Sequence, residues 1–443
     1  MGVKVCKFGG SSMADASSLR RVAEIVRSDS SRKYVVVSAA GKRYSGDEKI
    51  TDLLYSCAEE IKRTGTCEQS FSKVARRYRK MVAELGLSFD IDSLLADTEK
   101  RMVAENSTDF IASRGEYLSA AVMAEFLGYE FLDAEDIIRF SENGQFLADY
   151  TNDICSKALA TRKNAVIPGF YGRLPSGKIK TFSRGGSDIS GSIIARAANA
   201  EVYENWTDVN GFMTADPRIV DNPKMIEVLT YQELRELSYM GASVLHAESI
   251  FPVKQGGIPV NIRNTFEPEN PGTLIVPEGK YIDTGSIVTG IAGRKDFTII
   301  LIEKAMMNSE IGFARKVLSV LEYFEIPFEH MPSGIDTLSV VIPGSELNAD
   351  LGRITEKIKQ SVTPDRITVT DKISLIVLVG HGMAKRPGTA SRMFSAIAEA
   401  DINIRMIDQG SSELSIIVGV ENHDYEACIK AIYNGFLGTG KIS

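Results

Sequence analysis

One short run of residues contains the groups that would hold a small dianion. Ser183-Arg184-Gly185-Gly186-Ser187-Asp188 places a guanidinium, two glycines and two capping residues just before a helical apolar pattern. A helix N-terminus has unpaired backbone N–H groups and about half a positive charge, and glycine lets a ligand approach them. The planar fork of Arg184 suits a carboxylate. The run predicts an anion site with Ser187 or Asp188 as the N-cap; an ordinary strand-to-helix turn with a solvated arginine is the alternative.

A second glycine turn could hold a phosphate. Lys7-Phe8-Gly9-Gly10-Ser11-Ser12 ends the β-type run of residues 3–8 and precedes a helical pattern for which Asp15 is the expected N-cap. A strand, a glycine pair and a helix form a turn that can cradle a phosphate, whose charge Lys7 would neutralise. The spacing is not that of a P-loop, so a turn that only packs against its neighbours is the alternative.

A hydroxyl and a charged stretch follow the next β-type run, residues 34–37. Ser38 lies at the carboxyl end of that run, which in an open α/β sheet faces the ligand crevice. Residues 42–49 are rich in charge and resemble a mobile lid, with a solvated loop as the alternative. Thr51 and Asp52 are expected to cap the following helix, with Thr51 within reach of the ligand.

Two other polar runs could contact a ligand. Ser113-Arg114-Gly115-Glu116 is expected to precede an apolar helix that begins near Tyr117. Glu116 would then pair with a ligand ammonium, or would serve only as a first-turn acid that the helix dipole favours. Residues 205–211 end a β-type run in a polar turn, and Thr214-Ala215-Asp216-Pro217-Arg218 follows. Such loops commonly hold a nucleotide, although Asp-Pro also serves simply to end an element.

The elements that must position these groups alternate between strand and helix along residues 1–284. Short β-branched runs that are apolar on both faces are typical of a mainly parallel sheet covered by helices. They occur at residues 3–8, 34–37, 130–132, 165–167, 201–206 and 258–262. Between about 55 and 128, apolar residues repeat at helical spacing, which predicts a helical subdomain on this sheet.

The last third of the chain contains an internal repeat. Residues 297–342 match residues 373–418 without a gap, at a shift of about 76 positions. Each copy is read as strand, helix, strand, strand and helix, with a final strand at 366–369 in the first, which predicts a ferredoxin-like βαββαβ domain, twice. A Pro- and Gly-rich stretch near 280 marks the boundary. The predicted domains are residues 1–284, 285–371 and 372–443.

Composition narrows the function classes. A chain of 443 residues is too long for one core, and its net charge of −7 argues against general nucleic-acid binding. No apolar run approaches the roughly 20 residues of a membrane span, and no secretory leader pattern is present, so a cytoplasmic protein is expected. Five scattered cysteines and four distant histidines argue against a disulfide framework and a metal held by the protein.

Five motifs in chain order, together with the repeat, resemble the aspartate kinase family. They are Lys7-Phe-Gly-Gly-Ser, Ser113-Arg-Gly-Glu116, Phe182-Ser-Arg-Gly-Gly-Ser-Asp188, Trp206-Thr-Asp208 and Thr214-Ala-Asp-Pro-Arg218, and the two copies resemble ACT regulatory domains. The resemblance implies a mainly parallel open sheet sandwiched by helices, followed by two ACT-type domains. It also implies phosphoryl transfer from ATP, with Mg²⁺ held mainly by the nucleotide, to the side-chain carboxylate of L-aspartate. The product, 4-phospho-L-aspartate, would feed lysine, threonine and methionine synthesis.

The resemblance assigns a role to each matching residue. Lys7 would stabilise the transferring phosphoryl group, and Asp188 would orient the cationic groups. Arg184 would bind the α-carboxylate of aspartate and Glu116 its ammonium. The whole aspartate site would comprise Ser38, Thr51, Glu116, Phe170, Arg184, Gly186 and Ser187. The nucleotide site would comprise Lys7, Gly9, Gly10, Ser11, Thr207, Asp208, Met213, Arg218, Ser243 and Val244.

Two positions of the nucleotide site depart from the family pattern. Met213 stands where the family usually has a tyrosine, and Ser243 where it usually has a lysine. The missing lysine removes a charge-assisted contact that would contribute about 1.5–3 kcal/mol. Either ATP binds more weakly, or another cation such as Lys254 or Arg263 replaces the contact, and the second is expected.

The resemblance also implies feedback inhibition by an end-product amino acid, with lysine, alone or with threonine, as the expected effector. Residues 331–337 lack the Ser-Glu pair found in many lysine-sensitive members. A homo-oligomer, dimer or tetramer, formed through the ACT-type domains is expected. The effector site would comprise Met307, Gly312, Phe313, Ala314, Phe328 and Glu329.

Two alternatives stay open. A related kinase for another acceptor, such as glutamate, N-acetylglutamate or a nucleoside monophosphate, would keep the fold. An amino-acid sensor with a decayed kinase domain would keep the binding sites without turnover, as the departures at Met213 and Ser243 suggest.

Overall fold

The computed structural model describes residues 2–183, 185–241, 245, 247–280, 285–347 and 351–438. The chain forms two compact units. The first comprises Met1–Phe212, Glu227–Leu234 and Ser243–Ile282, and the second comprises Met213–Ile226, Arg235–Ala242 and Asp283–Ser443. Residues 213–226 therefore belong to the second unit, although they lie within the predicted first domain.

The first unit is built on a mainly parallel sheet, as predicted. Its strands are β1 (Lys4–Phe8), β2 (Arg32–Val37), β3 (Glu130–Phe131), β4 (Ala165–Pro168), β5 (Tyr171–Arg173), β6 (Ile179–Thr181), β7 (Val202–Thr207), β8 (Val228–Thr230), β9 (Val260–Asn264) and β10 (Thr273–Val276). Among the described residues, eight of them form one sheet in the order β3-β4-β2-β1-β7-β9-β10-β8, in which β9 and β10 pair antiparallel. The sequence does not predict β10, which lies in the Pro- and Gly-rich stretch.

Helices cover this sheet and extend beyond it. They are α1 (Ala16–Arg27), α2 (Ile50–Thr64), α3 (Glu68–Leu85), α4 (Ile91–Glu105), α5 (Thr108–Leu127), α6 (Ala134–Ile137), α7 (Ala148–Ala160), α8 (Gly186–Ala197), α9 (Tyr231–Tyr239) and α10 (Phe251–Gln255). The helices α2 to α5 follow one another in the stretch where the sequence has helical spacing. Asp15 caps α1 as predicted, since its side chain accepts a hydrogen bond from the Ser18 amide.

Three predictions about helix starts are wrong. The N-cap of α8 is Gly185, with a left-handed φ of 57°, rather than Ser187 or Asp188. The helix α2 begins at Ile50, so Thr51 and Asp52 lie inside its first turn and do not cap it.

The third error concerns Ser113-Arg114-Gly115-Glu116, which lies within α5 rather than before a helix. The helix begins at Thr108 because the side chain of Ser107 caps the amide of Phe110. Gly115 does not break the helix; a Cβ atom there would lie 2.7 Å from the Cβ of Ala39. The glycine therefore lets α5 pack closely on the loop after β2, which brings Glu116 toward that loop.

The second unit contains the two copies of the repeat in one sheet. Its elements are β11 (Gly290–Glu303), α11 (Phe313–Tyr323), β12 (Thr337–Pro343), α12 (Leu351–Val362), β13 (Arg366–Val379), α13 (Thr389–Glu399), β14 (Met406–Asp408), β15 (Ser415–Glu421) and α14 (Tyr425–Phe436). The strand order, within the described residues, is β12-β11-β13-β15-β14. The bounds of β11 and β13, and those of α11 and α13, differ by the same shift of 76 positions that the repeat predicts.

The two copies share the long strands β11 and β13. Residues 297–303 of β11 pair with β12 and with the first half of β13, which completes the first copy. Residues 290–294 instead pair with 375–379, in the half of β13 that also pairs with β15. The sheet of the second copy is thus completed by residues that precede the first copy along the chain.

Residues 213–226 pack on the second copy. Ala215 and Val220 are buried in the core that α13, α14 and β15 form. The amide of Ile291 donates a hydrogen bond of 2.7 Å to the carbonyl of Thr214. In the part of the chain that is described, the helices are too short or too polar to span a membrane.

Candidate active site

The predicted phosphate turn and the predicted anion run meet through an ion pair. Lys7 is the fourth residue of β1 and is 7% exposed; its Nζ lies 2.6 Å from Oδ1 of Asp188 in the first turn of α8. Asn205 of β7, which lies beside Lys7 in the sheet, donates to the same carboxylate oxygen at 2.9 Å. The two runs that the sequence singles out therefore form one charged centre.

The glycine turn after β1 packs backbone to backbone against the loop after β2. The amide of Gly41 donates to the carbonyl of Gly10 at 2.7 Å, and a Cβ atom on Gly41 would lie 2.5 Å from the carbonyl carbon of Gly10. A Cβ atom on Gly9 would lie 3.5 Å from Nζ of Lys7. Sequence reasoning did not include Gly41 in the site; its signal is a glycine shortly after the carboxyl end of a strand.

Glu116 of α5 is a buried carboxylate that lies beside the loop after β2. Burial raises the pKa of its carboxyl to about 7, although hydrogen bonds from the Ala39 backbone and the Ser187 side chain partly lower it. Its Oε2 has no hydrogen-bond partner within the described part of the chain. Because a buried carboxylate oxygen left without a donor is unfavourable, the position fits a cationic ligand group.

The mouth of α8 is shaped by a strained turn between β4 and β5. Phe170 adopts a φ of 80°, and its amide donates to the Ser190 hydroxyl at 2.9 Å. A Cβ atom on Gly186 would lie 2.3 Å from the Phe170 ring, and one on Gly169 would lie 2.8 Å from Ser187. Strain of this kind concentrates at ligand sites, and here it places Phe170 against the helix N-terminus.

The charged stretch 42–49 is tied to the helices rather than free. Arg43 and Asp47 form an ion pair of 2.7 Å. The guanidinium of Arg77, buried on α3, donates to the carbonyls of Gly41 and Glu48, and it also lies 3.5 Å from Asp47. Ser38 directly follows β2, and its amide donates to the carbonyl of Phe8 at 3.1 Å. Sequence reasoning missed Arg77, because nothing in the pattern of α3 distinguishes it from a surface arginine.

The predicted effector residues belong to the second unit, where four of them lie at or just before the start of α11 and Phe328 and Glu329 follow that helix. Gly312 is its N-cap with a φ of 80°, and Met307 and Phe313 are buried in the core of the first copy. Phe328 is 43% exposed. Glu329 lies 3.5 Å from Arg294. Met307 and Phe313 are only 7% and 4% exposed, and the effector contacts of all six residues stay predictions.

Comparison with known proteins shows the family. A model of the amino acid kinase family matches residues 2–264, and an ACT domain model matches residues 376–436. Aspartokinase 3 of Bacillus subtilis is 38% identical over 456 residues, which cover 100% of both chains. The chain belongs to the aspartokinase family.

Solved aspartokinase structures share this fold. The aspartate kinase of Clostridium acetobutylicum superposes with a TM-score of 0.89 and 48% identity, over 98% of this chain and 99% of that one. Aspartokinase III of E. coli, in complex with aspartate and ADP, has a TM-score of 0.72 and 24% identity, over 98% and 99% of the two chains. The predicted family, enzyme class and mixed α/β fold are confirmed.

Five residues of the predicted active site either lie outside the described residues or belong to the second unit. Arg184, Ser243 and Val244 lie outside the described residues. Met213 and Arg218 belong to the second unit, where Arg218 is paired with Asp216 at 2.6 Å and its side chain is 86% exposed. Their predicted ligand contacts stay predictions.

The remaining residues that are predicted to bind the nucleotide lie near strand ends, and the candidate replacement Arg263 lies beside Trp206. Thr207 ends β7 and its hydroxyl donates to Asp208 at 3.3 Å, while Ser11 opens the short turn after the glycine pair. Arg263 stacks on the ring of Trp206 at 4.5 Å. The replacement of the missing lysine by Arg263, or by Lys254 in α10, stays a prediction.

Proposed function

We propose that this chain transfers the γ-phosphoryl group of ATP to the side-chain carboxylate of L-aspartate, giving 4-phospho-L-aspartate and ADP. The observation that carries this proposal is the buried, incompletely paired Glu116 beside Ser187, one residue before the Asp188 that pairs with Lys7. A carboxylate that would bind an ammonium and a lysine that would stabilise a phosphoryl group thus lie near the N-terminus of α8.

The reaction asks for charge neutralisation rather than proton transfer. A carboxylate nucleophile is ionised at neutral pH, so no general base is needed. Attack on the γ-phosphorus breaks the bond to ADP and forms an acyl phosphate, while negative charge moves onto the leaving oxygen. Lys7 and the backbone donors of the glycine turn would stabilise that charge, and positioning supplies the rest of the rate.

The nucleotide would lie at the turn after β1. The close approach that Gly9 permits beside Lys7 Nζ fits the phosphates of a nucleotide. Mg²⁺ would be held mainly by the phosphate oxygens and would neutralise part of their charge. Arg184 would hold the α-carboxylate of aspartate at the N-terminus of α8.

The acceptor can be tested by comparing substrates in one assay. Coupled ADP release with MgATP should be rapid with L-aspartate and at background with L-glutamate and N-acetyl-L-glutamate. Activity on glutamate with none on aspartate would contradict the assignment. An absence of ADP release with every acceptor would favour the amino-acid sensor instead.

We further propose feedback inhibition by lysine, alone or with threonine, in a homo-oligomer formed through the second unit. In support, three apolar side chains near the predicted effector segment are exposed, namely Met306 at 72%, Ile311 at 97% and Ile335 at 71%. Exposed apolar groups mark an interface where they cluster, and the segments of Met306 and Ile335 are joined by a hydrogen bond of 3.1 Å from the Asn308 amide to the Ile335 carbonyl. Titration of aspartate kinase activity against lysine, threonine and both together tests the effector; unchanged activity in all three series would refute it.

A further inference from the structure

Asn205 stands out as a polar side chain in the centre of a buried strand. It lies on β7, directly beside Lys7 in the parallel pairing of β1 and β7, and is 3% exposed. A buried amide must be hydrogen-bonded to be tolerated, and this one donates from Nδ2 to Oδ1 of Asp188 at 2.9 Å. The acceptor is the same oxygen that Lys7 Nζ contacts at 2.6 Å.

A second residue of β7 fixes the same turn of α8 by a different contact. The hydroxyl of Tyr203, two residues before Asn205 and on the same face, donates to the backbone carbonyl of Asp188 at 3.0 Å. Gly191 makes room for the Tyr203 ring, since a Cβ atom there would lie 2.4 Å from the hydroxyl oxygen. Tyr203 thus places the backbone of Asp188, and Asn205 alone of these two holds its carboxylate.

Because Lys7 and Asn205 contact the same Oδ1 of Asp188, Asn205 would affect how Lys7 acts in the reaction. Lys7 has to neutralise charge that develops on the transferring phosphoryl group, so its ammonium must share its three N–H donors between that group and Asp188. An amide that donates to the same oxygen keeps the carboxylate in place while the ammonium shifts. We propose that Asn205 is a positioning residue for phosphoryl transfer, which holds Asp188 so that Lys7 can follow the charge on the phosphoryl group. This inference rests on the proposed aspartate kinase activity.

The test is a double-mutant cycle between positions 205 and 188 in the full chain. Asn205→Leu keeps the size of the side chain and removes the donor. It should lower kcat about tenfold, since a hydrogen bond to a charged group is lost, and should change the KM values for aspartate and ATP less than twofold. In an Asp188→Ala background the same substitution should change kcat less than twofold, because the carboxylate it serves is gone.

Two further variants separate positioning from support of the fold. Tyr203→Phe removes the neighbouring hydrogen bond to the Asp188 backbone and should lower the melting temperature as much as Asn205→Leu, with a smaller effect on kcat. Asn205→Asp keeps the shape but replaces the donor by a carboxylate, and should lower kcat at least as far as Asn205→Leu. It also serves as the second variant if Asn205→Leu does not fold. Calorimetric titration with ATP should show the wild-type number of sites in each folded variant.

Different outcomes would contradict the role of Asn205 and the aspartate kinase activity itself. If wild-type protein phosphorylates aspartate and Asn205→Leu and Asn205→Asp retain its kcat, the inference is wrong and the proposed function stands. An equal loss from Asn205→Leu in both backgrounds would also overturn it, since the effect would then not act through Asp188. If the wild type does not phosphorylate aspartate, the proposed function fails and the inference fails with it.

Discussion

At the scale of single residues, the role proposed for Glu116 would account for its burial. Its carboxylate is buried and one oxygen lacks a partner in the described part of the chain. Such a group destabilises the free protein, because desolvation disfavours its charged form. An aspartate ammonium would supply the missing charge, so the same position that weakens the fold would strengthen binding.

Aspartate binding should therefore depend on pH. The pKa of Glu116 in the free protein is about 7, so the carboxylate that pairs with the ammonium is lost as pH falls below 7. The KM for aspartate should rise by up to about tenfold for each pH unit below 7, while kcat at saturating aspartate changes less. Initial rates between pH 5.5 and 8.5 check this; a KM for aspartate that is constant over this range would contradict it.

The substitution Glu116→Gln should separate binding from stability. Because the folded pKa is raised, the stability linked to the neutral carboxyl is full below the unfolded pKa and is lost as pH rises through about 7. Glutamine stays neutral, so the variant should be more stable than wild type at pH 8, by as much as about 3 kcal/mol, and little changed at pH 4.5. Its KM for aspartate should rise at pH 8. A loss of stability at pH 8 would show that Glu116 is not desolvated as described.

At the scale of residues, the sequence indicates which side chains could bind or react, but not which side chains contact one another in the fold. Residue type and motif order select Lys7, Glu116 and Asp188 as site residues, and the roles assigned to them stay predictions. Asn205 and Arg77 are missed because their roles come from strand register and from packing between elements, neither of which is visible in local sequence. The position of Arg184 lies outside the described residues, so its predicted role is untested.

At the scale of elements, the loops after β1 and β2 form the floor of the candidate site. They approach so closely that Gly10 and Gly41 contact each other through their backbones. The guanidinium of Arg77 in α3 donates a hydrogen bond to the Gly41 carbonyl in the loop after β2. The sequence predicts most of the strands that carry these loops, because buried parallel strands are continuous apolar runs. It places the start of α5 wrongly, because Gly115 indicates a helix break although it serves close packing.

Gly41→Ala should disturb this floor. The new methyl group would meet the backbone of Gly10, which cannot move without displacing the glycine turn that directly follows Lys7 and Phe8. We expect kcat/KM for ATP to fall by roughly 10- to 100-fold, as for other displacements of about 1 Å.

Gly46→Ala is the matched control for this change. It lies in the same charged stretch, and within the described residues the Tyr44 ring, at 3.9 Å, is the only group less than 4 Å from the new methyl group. Steady-state kinetics of both variants check the prediction. Equal effects of the two substitutions would show that the loop contact does not shape the site.

At the scale of the whole molecule, the repeat shows what sequence symmetry can and cannot reveal. The shift of 76 positions predicts the matching bounds of β11 with β13 and of α11 with α13. It does not show that residues 290–294 complete the sheet of the second copy, because strand pairing joins residues far apart in the chain. For the same reason the sequence does not place residues 213–226 in the second unit.

The oligomer proposed for the second unit can be tested on its exposed apolar residues. Ile311→Lys should weaken self-association at least about tenfold, because it places a charge where an apolar contact is expected. Val103→Lys, at a 36% exposed position on α4, is the control and should not alter it. Analytical ultracentrifugation over a concentration series measures both. Association that is unaffected by Ile311→Lys would contradict an interface at this position.

In the proposed reaction the side-chain carboxylate of aspartate receives the phosphoryl group, and trapping of the product tests this transfer most directly. An acyl phosphate reacts with hydroxylamine to give a hydroxamate and phosphate. With wild-type protein, MgATP, L-aspartate and hydroxylamine, mass spectrometry should detect the hydroxamate of the aspartate side chain, one for each ADP released, and Lys7→Ala should form it far more slowly. ADP release without that hydroxamate, or the same yield from Lys7→Ala, would contradict the account.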